Sequence, residues 1–485
     1  MTDETGAALD LNAAFRGGGR SIEWLDQINQ ASIVMLAETG IVRAEVAGRI
    51  ARGIARLMDE EQSNASRRRS SADYLDYEPR LTTLVGADAS RLHSGRSRQD
   101  LASTIARMNL RDGLLQVLSA LLRLRERVHA RASEHIDTII PAYTHGVQAQ
   151  PTTFAHYLHA LSEALARECE RIMQVHARVN RNPLGAAVLA TSSFPIDRAR
   201  LSALLGFEGL VENAYDANHL APVDSALEVA GSYAIAALQI GQFAQDVHAQ
   251  YADPVPWMLL ATGELTGTSS IMPQKRNPAA LEQLRAQASM WLGEMQSQPL
   301  LAHNNRTGMF DYRLYDPVPH ARAVQVLDLA RRIVDGLVVD AERALNMVLA
   351  DYSTTTEIAD VLAQVADVPF RIGHHFASKL TDHGRSKGLR LHEIPYETVA
   401  RLYQTESGQA LPLDEAALRR VTSAEHMVQG RRGQGGPQRV EMQRMLDAER
   451  TRIDACDEWL RRSRADLAAA DATREQAFRA LCDGD

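Results

Sequence analysis

Residues 227–247 read Leu-Glu-Val-Ala-Gly-Ser-Tyr-Ala-Ile-Ala-Ala-Leu-Gln-Ile-Gly-Gln-Phe-Ala-Gln-Asp-Val, and a helix drawn through them is apolar almost all round. Such a helix must be enclosed by others. Residues 223–251 therefore read as the inner rod of a helical bundle. Two flanking stretches supply partners. In residues 104–135 the apolar positions Ile105, Met108, Leu110, Leu114, Leu115, Val117, Leu118, Leu121 and Leu122 recur at three- and four-residue spacing. Residues 152–179 repeat that pattern. At about 1.5 Å per residue, these segments predict helices of roughly 40 Å. Residues 278–292 and 319–339 predict two more, giving an elongated bundle.

Outward from this bundle the pattern loosens. Residues 22–58 are helical in period, 61–73 polar and loop-like, and 90–100 rich in Gly, Ser and Arg. Residues 350–405 predict shorter helices, broken at Asp367-Val368-Pro369, Asp382-His383-Gly384 and Ile394-Pro395. A flexible link at 428–437 precedes a charged helix over 438–481. Residues 1–20, with Gly17-Gly18-Gly19, read as a loose arm. No period-2 strand signal persists, and neither a phosphate loop nor a G-x-G-x-x-G turn is present. The expected class is all-α, with a helical unit over 1–100, a long-helix bundle over 101–348, and a helical unit with an extended tail helix over 349–485.

Composition narrows the function classes. The 485 residues are 45% apolar, 24% charged and only 5% aromatic, which favours helix. A net charge of −8 without a concentrated basic face argues against nucleic acid. The run Arg67-Arg68-Arg69 reads as a solvated cluster. Cys169, Cys456 and Cys482 have neither zinc nor disulfide-framework spacing. No apolar run of about 18 residues predicts a membrane span, and residues 1–11 lack an apolar signal core. The expected location is the cytoplasm.

Three polar islands interrupt the helices. The first, Arg91-Leu92-His93-Ser94-Gly95-Arg96-Ser97-Arg98-Gln99-Asp100, suits an anion through its Arg and Ser side chains and Gly-opened amides. The bland alternative, a basic surface turn capped by Ser97, is equally good. The second, Tyr143-Thr144-His145-Gly146-Val147-Gln148-Ala149-Gln150-Pro151, holds a lone histidine. A lone histidine is more often a satisfied core residue than a catalyst. The third, Thr266-Gly267-Thr268-Ser269-Ser270-Ile271-Met272-Pro273-Gln274-Lys275-Arg276-Asn277-Pro278, is followed by Glu282. A capped Ser/Gly loop, with Asn277 capping and Pro278 first in the helix, explains its end. It leaves Ser269 and Lys275 unexplained, and these suit an anionic transition state.

The three islands, in this order, resemble the fumarase/aspartase superfamily, whose S-S-x-M-P-x-K-x-N is matched from Ser269 to Asn277. Within it the chain is most similar to argininosuccinate lyases. Leu92-His93-Ser94-Gly95-Arg96-Ser97-Arg98 resembles their L-H-T-G-R-S-R, and the second island their Y-T-H-x-x-x-A-Q-P, with a looser fit at Val147-Gln148. Pro183-Leu184-Gly185, Phe194-Pro195-Ile196-Asp197-Arg198 and Val368-Pro369-Phe370-Arg371 recur there too. The likeness covers roughly residues 25–415.

The resemblance implies a mechanism. Ser269 removes a Cβ proton, helped by Lys275 and the loop amides. Lys275 and Asn277 stabilise the aci-carboxylate that results, and Ser270 and Met272 belong to the same loop around the substrate. His145, oriented by Glu282, assists the leaving nitrogen, through Thr144 or a water. Ser97, Arg98 and Gln99 meet substrate carboxylate oxygens. The resemblance further implies a homotetramer whose sites are each shared by three chains, and a reaction needing no metal or organic cofactor.

The chain departs from that pattern on one side. Gln99 stands where the family has Asn, and Thr268 where it has Gly. The arginine-binding Y-N-x-D-L-Q-E-D-K segment aligns with His303-Asn304-Asn305-Arg306-Thr307-Gly308-Met309-Phe310-Asp311, so its Gln becomes Gly308 and its Lys Asp311. S-D-R-D becomes His219-Leu220-Ala221-Pro222, and G-S-x-A-H is barely visible in Asn29-Gln30-Ala31-Ser32. The expectation is a C–N lyase releasing fumarate from an N-substituted aspartate, such as a diamine-linked succinate, with Met309, Phe310 and Tyr312 near the amine. Argininosuccinate itself is the alternative substrate. A catalytically silent, crystallin-like structural protein is the alternative of another class.

Overall fold

The computed structural model describes residues 20–309 and 318–484. The Gly17–Gly19 arm and the Phe310, Asp311 and Tyr312 positions lie outside the described residues. The protein is all-α in class. Its N-terminal helices are α1 (Ser21–Glu38), α2 (Ala44–Ser63) and α3 (Tyr74–Val85). The long helix α4 (Arg98–Glu134) leads to a hairpin, β1 (Ile139–Thr144) and β2 (Val147–Thr153), and then α5 (Phe154–Val179). Short helices α6 (Arg198–Leu204) and α7 (Ala214–His219) precede α8 (Ala221–Ala249). Then follow β3 (Met258–Leu260), β4 (Gly267–Thr268), β5 (Arg276–Asn277), α9 (Ala279–Ala302), α10 (His320–Asp335) and β6 (Leu337–Val339). The remainder is α11 (Ala341–Ala350), α12 (Thr355–Ala366), α13 (Phe370–Lys387), α14 (Tyr396–Ser407), α15 (Glu415–Val421), α16 (Ala424–Gln429) and α17 (Arg439–Asp483).

The apolar rod is α8, packed against α9 and α5, while α4 lies between α5 and α10. The 37 residues of α4 make it about 55 Å long. Leu114, Leu118, Leu121, Phe154, Tyr233, Ile240 and Trp291 share this central core. A second core joins α1, α2 and α3 to the first turns of α4 through Leu25, Ile28, Ile50, Tyr77 and Met108. A third, with Phe376, Leu380 and Tyr403, holds α12 to α15 together.

The tail helix shows where chain order and packing part. Met442, Leu446, Ile453 and Leu460 of α17 sit in the central core, and Phe478 sits in the N-terminal one. Buried Glu449 accepts from Arg125 of α4 at 2.9 Å and from Ser162 of α5.

Three local expectations are corrected. The 22–58 segment is not one helix, because residues 39–43 form a turn between α1 and α2. Arg69 is not solvated: it is 4% exposed and its guanidinium pairs with Asp26 and Glu61, both at 2.6 Å. The second island contains two strands that pair antiparallel. The run is too short for a period-2 signal to persist, and the turn supplies the order instead.

Candidate active site

The third island is a loop closed at its base. Gly267 pairs with Asn277 and Thr268 with Arg276, so residues 269–275 project from a two-residue ladder. Asn277 is held in that ladder, so it does not cap α9. Pro278 occupies the cap and the helix begins at Ala279. Inside the loop, Ser269 Oγ accepts from the amides of Met272 at 3.0 Å and Ile271 at 3.3 Å. Lys275 N donates to Met272 O at 3.1 Å, which closes a backbone turn over residues 272–275. Arg276 donates to the carbonyls of Pro273 and Lys275. Ser270, Ile271, Met272 and Lys275 are exposed, Ile271 to 85%. Two amides aimed at one hydroxyl oxygen form a small anion hole, which favours the ionised form of that hydroxyl.

In the second island, His145 and Gly146 are the central pair of the hairpin turn, with φ of 55° and 77°. Two positive φ values in a two-residue loop match the right-handed twist of the strands, and histidine tolerates that region. His145 is exposed at the tip with Thr144, so the reading of a satisfied core histidine is excluded. Glu282, on the first turn of α9, is exposed as well. Among the described residues of one chain, no ion pair joins His145 to Glu282.

The first island opens α4. Ser97 caps the helix by accepting from Gln99 N at 3.1 Å, as its bland reading expected. Gly95 has φ 66°, and a Cβ there would lie 2.6 Å from Ile196. The cations of this island are engaged. Arg96 is buried, donates to Asn29 Oδ1 at 2.9 Å and Ser32 Oγ at 3.0 Å, and stands 5.0 Å above the Tyr74 ring. Arg98 grips Asp73 with two nitrogens, one at 2.9 Å. Gln99 is buried and its Nε2 donates to Asn218 O at 3.2 Å.

Asp100, to which the sequence motif gives no role, is the hub behind this island. Its fully buried carboxylate accepts from Ala187 N at 2.8 Å, Val188 N at 2.9 Å and Asn218 Nδ2 at 3.0 Å. Burial pushes its pKa up, against the pull of those donors. Ala187 and Val188 have φ of 46° and 78°, strained values that Asp100 holds in place. Asn218, next to His219, thus ties Gln99, Asp100 and the 187–188 loop together. A Cβ on Gly308 would sit 3.6 Å from the His219 ring, and Tyr215 shares a 3.0 Å hydrogen bond with Thr307. The positions where the motifs depart, Gln99, His219 and Gly308, are therefore contiguous in space.

Comparison with known proteins decides the family. A lyase family model matches residues 25–293, and an argininosuccinate lyase C-terminal model matches residues 352–429. Argininosuccinate lyase 2 of Agrobacterium fabrum is 32% identical over 472 residues, covering 95% of this chain and 92% of that protein. The chain belongs to the argininosuccinate lyase-like branch of the fumarase/aspartase superfamily. The argininosuccinate lyase of Methanococcoides burtonii is 33% identical over 436 residues, covering 88% of this chain and 86% of that protein. Among solved structures, a variant of EDDS lyase with bound fumarate gives a TM-score of 0.87 at 29% identity, covering 98% of this chain and 93% of that one. EDDS lyase in complex with formate gives 0.85 at 29%, with the same coverage. As a member of this superfamily the chain is a lyase. Among the described residues, no helix is long and apolar enough to cross a membrane.

Proposed function

We propose that this lyase cleaves a carbon–nitrogen bond, reversibly releasing fumarate from an N-substituted aspartate. The observation that carries the reading is the Ser269 hydroxyl held by the Ile271 and Met272 amides on an exposed loop with Lys275 and Asn277. Those amides lower the cost of a serine alkoxide. Ser269 then removes the Cβ proton beside the carboxylate. The carbanion is an aci-carboxylate, and Lys275 and Asn277 meet its charge as it develops. Ser270 and Met272 line the same face. Ser97, Arg98 and Gln99, at the N-terminus of α4, receive the other carboxylate, where helix amides favour an anion, with Arg98 oriented there by its grip on Asp73. As the C–N bond breaks, the nitrogen takes a proton on the His145 side, with Thr144 or a water between and Glu282 orienting the ring.

His145 and Glu282 are unpaired with each other in one chain, which supports a site completed by other copies. The bundle also leaves a face for them. Ile235 and Leu238 of α8 and Met290 of α9 are exposed, and Gly231, Gly241 and Gly293 look into open space. We read this face as the contact of a homotetramer, with each site built from three chains. A cytoplasmic location accords with three free cysteines.

The amine is the open half. The likeness to EDDS lyase favours a diamine-linked succinate, and the rewritten Gln99, His219 and Gly308 cluster supports an amine other than arginine. The names of the curated relatives favour argininosuccinate, which is the second reading. Fumarate absorbs in the ultraviolet. Mixing the protein with fumarate and a panel of amines, and in reverse with ethylenediamine-disuccinate and argininosuccinate, ranks the substrates. Fast turnover of argininosuccinate alone would overturn the first reading. No turnover of any succinate would favour a silent structural protein, and full activity in Ser269→Ala would remove the mechanism.

A further inference from the structure

The hairpin that presents His145 is gripped at its foot. Ala142 pairs with Gln150 but Tyr143 with Gln148, so Ala149 is an extra residue on β2. Such a bulge bends its strand and re-aims a side chain. The side chain beside it is Gln148, whose Nε2 donates to Met347 O at 3.3 Å and Ser353 Oγ at 3.1 Å. Met347 lies in the last turn of α11, where carbonyls lack donors within the helix. Ser353, itself buried, donates to Val348 O at 3.3 Å.

Residues 347–354 are also where the C-terminal unit hangs on the bundle. The Tyr352 hydroxyl donates to Leu389 O, and Thr354 Oγ1 donates to Thr422 O at 3.0 Å. Beneath the strands, Ile139 of β1 packs with Val348, Ala424 and Val428. The tip, residues 143–147, is exposed. Its orientation therefore depends on this foot.

We propose that Gln148 is a positioning residue. By closing the end of α11 and holding Ser353, it transmits the seating of the C-terminal unit to the His145 turn, and so sets how well His145 serves the leaving nitrogen. The proposal rests on the assignment of His145 to the leaving-group side.

Gln148→Leu removes both donated bonds at similar volume, and Ser353→Ala removes one. Two measurements on the full-length protein test the brace. The first is amide hydrogen exchange over residues 142–149, which is expected to quicken in both variants and needs no turnover. The second compares fumarate release from ethylenediamine-disuccinate with deuterium uptake at its Cβ, which reads the Ser269 step. Fumarate release should fall on the order of tenfold, less than the roughly 10²–10⁴ that a general acid supplies because His145 is displaced rather than removed, while Cβ exchange changes far less. Should Gln148→Leu fail to fold, Ser353→Ala carries both readouts. Native-like hairpin exchange, or an equal fall of the two chemical steps, overturns the proposal. A native protein that makes no fumarate speaks against the reaction instead, and hairpin exchange still decides the brace.

Discussion

Arg125 and Glu449 stand 324 residues apart in sequence and meet at 2.9 Å, both buried. The pair fastens α17 to α4, and Ser162 and Arg452 also bond the same carboxylate. Removing one member leaves the other charged and without its counter-ion in an apolar core, at about 3–5 kcal/mol. Glu449→Leu should therefore lower the denaturant midpoint strongly. The double variant Arg125→Met/Glu449→Leu should regain much of that loss, because no buried charge of the pair remains. A double variant weaker than the single would show that the pair stabilises beyond its own desolvation.

Lysine occurs only at 275, 379 and 387, in a chain with 53 basic residues. Lys379 and Lys387 lie on exposed parts of α13, away from the third island in sequence. In a Lys379→Arg/Lys387→Arg protein, an amine-reactive acylating reagent has one side-chain target. Acylation of Lys275, distinguished by peptide mapping from that of the N-terminal amine, should abolish turnover, and fumarate should slow that acylation. Full activity after stoichiometric acylation of Lys275 would remove it from the mechanism.

A site shared between copies makes a prediction of its own. Ser269→Ala and His145→Gln should each be inactive as pure proteins. Co-refolded together, they should regain a fraction of native activity, since some sites then receive Ser269 from one chain and His145 from another. No recovery in mixed oligomers, verified by mass, would place both residues in one chain's site.

Three histidines predict the acid limb of stability. Burial pushes His93, His176 and His320 each down to about 4. The unfolded chain takes up these protons near pH 6.5, whereas the folded chain resists until about pH 4. Between those values the unfolded state binds more protons, so stability falls as pH falls through this window. His176 packs edge-on to Trp459 at 5.1 Å. His176→Phe keeps an aromatic contact without a titrating group, and its Tm should drop less between pH 7 and 4.5 than that of the native protein.

The long helices were legible because each repeats its period over many turns: Leu114, Leu118 and Leu121 need no tertiary information to declare a face. Ser269, Lys275 and Asn277 were legible as a local motif. What sequence could not supply is what distant groups do to a side chain. Arg98 was legible as a cation suited to an anion, but not that Asp73 holds it, and Asn277 looked like a helix cap until Gly267 claimed its backbone. Asp100 and Asn218 went unassigned because their partners lie near 187, remote in sequence. Gln148 was in plain view, yet its function depends on a bulge one residue away and a helix end near 347.

The path of α17 bears on how the protein is made. Trp24, Leu25 and Ile28 leave the ribosome early, but Phe478, which packs in their core, emerges some 450 residues later. The N-terminal core must therefore wait, incomplete and adhesive, through most of translation. Exposed, unfinished apolar surface of this kind favours aggregation during synthesis, and Phe478 is among the last residues made that can cover it.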